Sequence, residues 1–124
     1  MLRAIILVGV GGGIGSIFRY LTSVFVGKYF NTVFPFATFI ANIVGCLIIG
    51  LLFGFFERHQ LTNPDLKYLF VTGFCGGYTT FSTFAAENFN LFQSENSLTA
   101  FAYIAASVLV GLLAVWAGVA LTKI

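Results

Sequence analysis

The sequence predicts an all-α integral membrane protein with four transmembrane helices. Of its 124 residues, 59% are hydrophobic and 8% are charged, whereas soluble domains carry about 25% charged residues. Four apolar stretches reach the ~20 residues that a spanning helix needs, and short polar loops separate them. We therefore expect neither a soluble domain nor a catalytic module outside the lipid. The net charge of +2 is too small to indicate nucleic-acid binding.

A single membrane domain, residues 1–124, is expected to contain these spans. Their predicted limits are about 2–26, 36–56, 66–92 and 98–122. The basic start and apolar run of the first span imitate a signal peptide, but no A-x-A site follows and apolar character continues to Val26. We therefore predict that this span is retained. Ser97 is a candidate N-cap for the last span.

Glycines four residues apart recur in the first two spans. The pairs are Gly9–Gly13, Gly11–Gly15 and Gly50–Gly54. Such spacing lets a neighbouring helix backbone approach closely. Because four short helices enclose almost no interior, these faces predict a second copy of the chain, most simply in a twofold dimer.

The basic residues outside the spans favour one orientation only modestly. Four of them belong to one side of the membrane: Arg3, Arg58, Lys67 and Lys123. Lys28 lies on the other side, with Arg19 near that end of the first span. The excess places both termini in the cytoplasm.

Two polar side chains inside the spans each have two interpretations. Arg19 either extends its charge to the membrane surface or attracts anions to a pore mouth. Asn42, in the middle of the second span, either bonds to another helix or donates to a permeating ion. Thr38 lies four residues earlier on the same helix face.

The third span contains the segment GFCGGYTTFSTF, residues 73–84. Its paired glycines, Gly76 and Gly77, predict a break in the helix. A break frees backbone carbonyls, which a hard cation can satisfy in a membrane; a simple kink or close packing is the alternative.

After the break, Phe81 and Phe84 are three residues apart and share one helix face. The positive edge of an aromatic ring is a weak anion host, although ordinary packing also explains such a pair. Four hydroxyls accompany the rings and are possible donors to an anion: Thr79, Thr80, Ser82 and Thr83.

Further polar residues extend this pattern along the third and fourth spans. Glu87 follows Phe84 and is expected near the membrane boundary, while Tyr103 and Ser107 share one face of the fourth span. Together with Arg19 and Asn42 they predict a narrow polar track. The sequence offers no nucleophile–base pair, so we do not expect an enzyme. Two free cysteines inside the spans, Cys46 and Cys75, lack metal-ligand spacing and are interpreted as packing residues.

Three segments in order resemble the Fluc (CrcB) fluoride channels of bacteria. They are GGGIGSIFRY (11–20), ATFIANIVG (37–45) and GFCGGYTTFSTF (73–84). The resemblance covers the whole chain and implies a multi-pass protein of the bacterial cytoplasmic membrane. It implies fluoride export by passive flow, and hence fluoride resistance. It further implies an antiparallel, dual-topology homodimer with two pores.

The resemblance also implies roles for individual residues. The fluoride pore would be lined by Phe81, Phe84, Asn42, Thr38, Thr80, Ser82, Thr83, Tyr103, Ser107 and Glu87, with Arg19 at its mouth. Backbone carbonyls of Gly76 and Thr79 would bind one structural Na⁺ that is not transported. Because the basic residues favour one orientation, an oppositely oriented homologue is the alternative partner. Gly111, one turn past Ser107, predicts a short track.

Two other function classes fit four small spans. A proton-coupled cation exporter needs a carboxylate deep inside a span, and the first span has none. An assembly subunit held by glycine packing would not explain the Asn, Thr and Ser donors. The fluoride channel is therefore the leading hypothesis.

Overall fold

The computed structural model describes residues 1–124 and is helical throughout apart from short connections, which confirms the all-α fold class. Helix α1 spans Leu2–Tyr29 and α2 spans Phe36–Arg58. A third helix, α3, comprises residues 64–78: the turn Pro64–Leu66, the π-helix Lys67–Cys75 and the turn Gly76–Tyr78. Helix α4 spans Phe81–Gln93 and α5 spans Ser97–Leu121. Three helices, α1, α2 and α5, are each long and apolar enough to cross a membrane.

The third span is interrupted at Thr79 and Thr80, between α3 and α4, and not at the glycine pair. Gly76 is helical, with φ −62° and ψ −37°. Thr79 and Thr80 are extended, with ψ of 158° and 124°, which suits β-branched residues. Gly77 serves packing instead, because a Cβ on it would overlap the backbone of Gly12 in α1.

The start of α5 also differs from the prediction. Ser97 is the first helical residue, and the capping position is Asn96, whose side chain makes no cap bond. Asn96 instead donates from Nδ2 to the carbonyl and hydroxyl oxygens of Ser94, at 3.3 and 3.0 Å. The asparagine therefore stabilises the turn between α4 and α5.

The helices pack as two main pairs, α1 with α3 and α2 with α5, and α4 packs on α5. Glycines allow the α2–α5 contact: Gly50 lies against the backbone of Val115, and Gly118 lies against that of Leu47. At one end of the bundle, Arg3 Nη2 lies 2.7 Å from Asp65 Oδ2. Arg58 donates to the carbonyl of Thr122 at 2.6 Å. The starts of α1 and α3 and the ends of α2 and α5 are thus joined in pairs.

The chain has little interior of its own, with 17 of its 124 residues buried. The largest buried cluster is small: Leu91, Ala100 and Tyr103. Most large apolar side chains point outward, which is the arrangement that a lipid solvent favours.

Candidate functional site at the helix break

Unpaired carbonyl groups mark the end of α3. The carbonyl oxygens of Gly76, Tyr78 and Thr79 accept no hydrogen bond, because the amides that would continue the helix lie beyond the break. The carbonyl of Gly77 accepts from Arg19 Nε at 3.2 Å. Since a helix C-terminus carries partial negative charge, this end of the break favours a cation.

Unpaired amide groups mark the start of α4. Phe81 and Ser82 have N–H groups that donate to no other group of the chain. The next amide, that of Thr83, donates to Thr80 Oγ1 at 3.2 Å, so Thr80 caps the helix. A helix N-terminus carries partial positive charge. The break therefore presents acceptors and donors within a few residues of each other.

Asn42 connects α2 to the break through both polar atoms of its side chain. Its Nδ2 donates to the Thr80 carbonyl at 3.1 Å, and its Oδ1 accepts from the Thr80 amide at 2.8 Å. Asn42 therefore bonds to another span of the bundle, as the first of its two interpretations predicted. An asparagine amide has two N–H donors, and these contacts use one of them.

A cavity of about 420 Å³ lies beside Asn42, between α2, α3, α4 and α5. Seven of the predicted pore and cation-binding residues line it: Asn42, Gly76, Thr79, Thr80, Phe81, Phe84 and Ser107. The Oγ of Ser107 is buried and has no hydrogen-bond partner. We call this space the phenylalanine cavity.

The two phenylalanines of this cavity have different surroundings. Their ring centroids are 5.8 Å apart. The ring of Phe84 packs edge to face with Tyr103, with centroids 4.8 Å apart, whereas Phe81 is 77% exposed. Phe84 is therefore positioned by its own chain, and Phe81 is free to meet another molecule.

A second, polar cavity of about 270 Å³ lies on the α1 side of the break. It brings Arg19 together with three predicted hydroxyl residues, Thr38, Thr80 and Thr83. We call this space the arginine cavity. Thr80 lines both cavities, so the break separates them.

The sequence interpretation missed three polar residues of the arginine cavity: Ser16, Tyr20 and Ser23. Ser16, Tyr20 and Ser23 recur at helical spacing and share one face of α1 with Arg19. This spacing could have predicted a polar face on α1, but the glycine pattern of the same segment obscured it.

Glu87 lies among α2, α4 and α5. Its Oε2 accepts from the Thr38 hydroxyl and its Oε1 from the Tyr103 hydroxyl, both at 2.8 Å. Tyr103 is wholly buried. Glu87 also lines a third cavity of about 230 Å³ with Asn90, Ser94 and Asn96. Tyr103 and Ser107 thus share one face of α5, but Tyr103 bonds to Glu87 whereas Ser107 lines the phenylalanine cavity.

Two of the four hydroxyls that accompany the rings have local roles or open positions. Thr79 donates from Oγ1 to the carbonyl of Cys75 at 2.8 Å, so its hydroxyl is not a free donor. Ser82 is exposed, with its Oγ 3.5 Å from that of Thr80. Of the four hydroxyls that accompany the rings, Thr79 is thus engaged with α3 and Ser82 is exposed.

The sequence matches one protein family over most of its length. The family profile described as CrcB-like protein, Camphor Resistance (CrcB), covers residues 6–119. The chain belongs to the CrcB family. Similar curated proteins include those of Flavobacterium psychrophilum, 50% identical over 98% of both chains, and Azobacteroides pseudotrichonymphae, 42% identical over 99% of this chain and 98% of the relative. A relative from Leptospira interrogans is 39% identical over 98% of this chain and 95% of its own.

Each of these three relatives is named a fluoride-specific ion channel. The resemblance to the CrcB family that the sequence indicates is thereby confirmed. In this CrcB protein, the phenylalanine cavity is lined mainly by apolar groups and has no charged side chain, and the charged groups, Arg19 and Glu87, lie in the neighbouring cavities.

Proposed function

We propose that this CrcB protein is a fluoride-selective channel that lowers cytoplasmic fluoride by passive exit through the bacterial cytoplasmic membrane. One observation carries the proposal. The unpaired N–H groups of Phe81 and Ser82 stand at the start of α4, beside a cavity lined by Phe81, Phe84 and Asn42. The names of the relatives support the choice of fluoride.

Fluoride is small and tightly hydrated, so its water must be replaced by close donors. The break offers unpaired amides, and Asn42 retains one N–H after its bonds to Thr80. The edges of Phe81 and Phe84 add weak positive potential without a formal charge. Several weak sites in series permit both entry and release of the ion.

The proposed channel is an antiparallel dimer with two pores, formed with an identical copy or an oppositely oriented homologue. Phe81, 77% exposed in a single chain, is the residue that a second chain would cover. The small interior of one chain supports the same assembly, whereas the glycine pairs Gly11–Gly15 and Gly50–Gly54 pack within the chain. Arg19, in the arginine cavity, would draw anions towards the pore from one side.

A structural Na⁺ at the centre of the dimer is the second part of the proposal. The residues fit a hard cation, because the carbonyls of Gly76 and Thr79 have no hydrogen-bond partner at a helix C-terminus. These carbonyls would supply oxygen ligands, and the ion would neutralise the exposed ends of two broken helices. It would remain bound during fluoride flow.

Flux measurements on reconstituted protein test the channel. In liposomes, fluoride efflux is expected and chloride efflux is not; failure to pass fluoride, or equal passage of both ions, contradicts the proposal. Phe84→Ile should slow efflux by about tenfold, which corresponds to a barrier ~1.4 kcal/mol higher. Phe89→Ile is the control, because Phe89 lies exposed on the same helix outside both cavities. Equal rates for the two variants would reject the role of Phe84.

Removal of sodium tests the proposed cation. After dialysis into a buffer with a bulky organic cation, the protein should unfold at a lower temperature, and sodium should restore the midpoint. A ligand at 100 times its dissociation constant stabilises the folded state by about 2.7 kcal/mol. Potassium at equal ionic strength is the control for a general salt effect. An unfolding midpoint that is the same in all three buffers would contradict sodium binding.

A further inference from the structure

Contacts from outside the local backbone hold residues 77 to 80, which comprise the end of α3 and the break that follows it. The carbonyl of Gly77 accepts a hydrogen bond from Arg19, and the carbonyl and amide of Thr80 each form a hydrogen bond with Asn42. Tyr78 lies between them, and its hydroxyl is 2.9 Å from Thr22 Oγ1. Helix α1 therefore contacts two successive residues at the end of α3, through side chains three positions apart on one face.

The direction of the Thr22–Tyr78 hydrogen bond follows from the hydroxyl protons. Thr22 donates its single proton to the carbonyl of Phe18 at 2.9 Å. It can therefore only accept from Tyr78, whose O–H must be the donor. Tyr78 is 7% exposed, and Thr22 is the hydrogen-bond partner of its hydroxyl within the chain.

Packing positions the ring of Tyr78, and the hydrogen bond of the hydroxyl to Thr22 is the remaining contact that holds this side chain. The ring stacks on Phe74, with centroids 5.9 Å apart and an interplanar angle of 9°. The next residue, Thr79, packs against α2, because a Cβ on Gly45 would overlap the methyl group of Thr79. A shift of Tyr78 would therefore be transmitted directly to the unpaired carbonyls of Tyr78 and Thr79.

We propose that Thr22 is a positioning residue, which fixes the end of α3 by accepting the hydroxyl proton of Tyr78. Through that contact α1 would hold in place the carbonyl of Thr79, one of the two proposed cation ligands. This role rests on the proposed function, because the cation belongs to it. Arg19 contributes to the same contact between α1 and α3, because its hydrogen bond to the Gly77 carbonyl holds the last turn of α3.

Four variants test the direction of this bond as well as its existence. Thr22→Val keeps the shape of the side chain but leaves a buried Tyr78 hydroxyl without a partner. Tyr78→Phe removes that hydroxyl and keeps the ring. The double variant Thr22→Val/Tyr78→Phe removes both groups, and Thr22→Ser retains the acceptor. An unpaired buried donor costs more than the loss of both partners.

The sodium concentration for half-maximal fluoride flux is the main measurement. It should rise about tenfold for Thr22→Val, which is the scale set by one unpaired buried group. It should rise less for Tyr78→Phe and for the double variant, and stay near the wild-type value for Thr22→Ser. A wild-type sodium requirement for Thr22→Val, or a double variant worse than Thr22→Val, would overturn the proposal.

Thermal unfolding in detergent without sodium separates this inference from the channel proposal. Wild-type protein that conducts no fluoride, or conducts it without sodium, contradicts the proposed function. In either case the unfolding midpoints still report the contact. Thr22→Val should then be the least stable of the four variants, and a midpoint equal to that of the wild type would reject the positioning role.

Discussion

Gly15→Ala is expected to force α1 away from α3 and to destabilise the protein strongly. A Cβ at Gly15 would overlap the carbonyl oxygen of Phe74 and the amide nitrogen of Tyr78. Both are backbone atoms, which cannot rotate out of the way. Overpacking of this kind costs about 1–3 kcal/mol, and here it also displaces the residue that precedes the break. The free energy of unfolding in detergent micelles is the quantity to measure.

Gly13→Ala is the matched control for this substitution. Nothing lies within 4 Å of a Cβ at Gly13, and alanine is favoured over glycine inside a helix by about 0.5–1 kcal/mol. This variant should therefore be as stable as the wild type or slightly more stable. Equal destabilisation by the two variants would show that the α1–α3 contact does not depend on Gly15.

Asn42→Ala is expected to disorder the break and to abolish fluoride flux. The substitution leaves both the amide and the carbonyl of Thr80 without their present partners. Each unsatisfied buried group costs about 1–3 kcal/mol, so the loss should reach about 2–6 kcal/mol. Asn42 also lines the phenylalanine cavity, so the substitution removes a proposed fluoride donor at the same time. Unfolding and efflux are both measured.

The control is Asn31→Ala, which makes the same chemical change at an exposed residue of the α1–α2 connection. Its stability and flux should match those of the wild type. If Asn42→Ala keeps wild-type stability, the two bonds to Thr80 do not hold the break. If it loses stability but keeps its flux, Asn42 is not a fluoride donor.

The glycine pairs illustrate what the sequence predicted and what it left undetermined. Their spacing indicated close helix contacts in α1, but two pairs had equal claims. In the structure Gly11 and Gly15 pack against α3, whereas Gly9 and Gly13 face outward. Because lipid is as apolar as the packed side of a helix, the apolar residues around these glycines do not distinguish the two sides.

The break illustrates a second limit of the sequence. Its existence and its segment were predicted correctly, and it was expected near Gly76 and Gly77, whereas the extended residues are Thr79 and Thr80. Glycine permits an interruption without forcing one, and the close contact of Gly77 with Gly12 explains that glycine equally well. The π-helical winding of Lys67–Cys75 was not predicted, because no pattern of apolar residues distinguishes it from an α-helix.

The sequence by itself determined the membrane class, the helical fold, the family and the segment that carries the candidate site. Low charge and long apolar runs decide the first two, since only closed hydrogen bonding satisfies a backbone in lipid. The tertiary structure decided which polar groups remain unpaired. Asn42 meets Thr80 across 38 residues, and Thr38 meets Glu87 across 49. Such pairings form only when separate helices pack, so only the folded chain distinguishes a donor that holds the protein together from one left free for an ion.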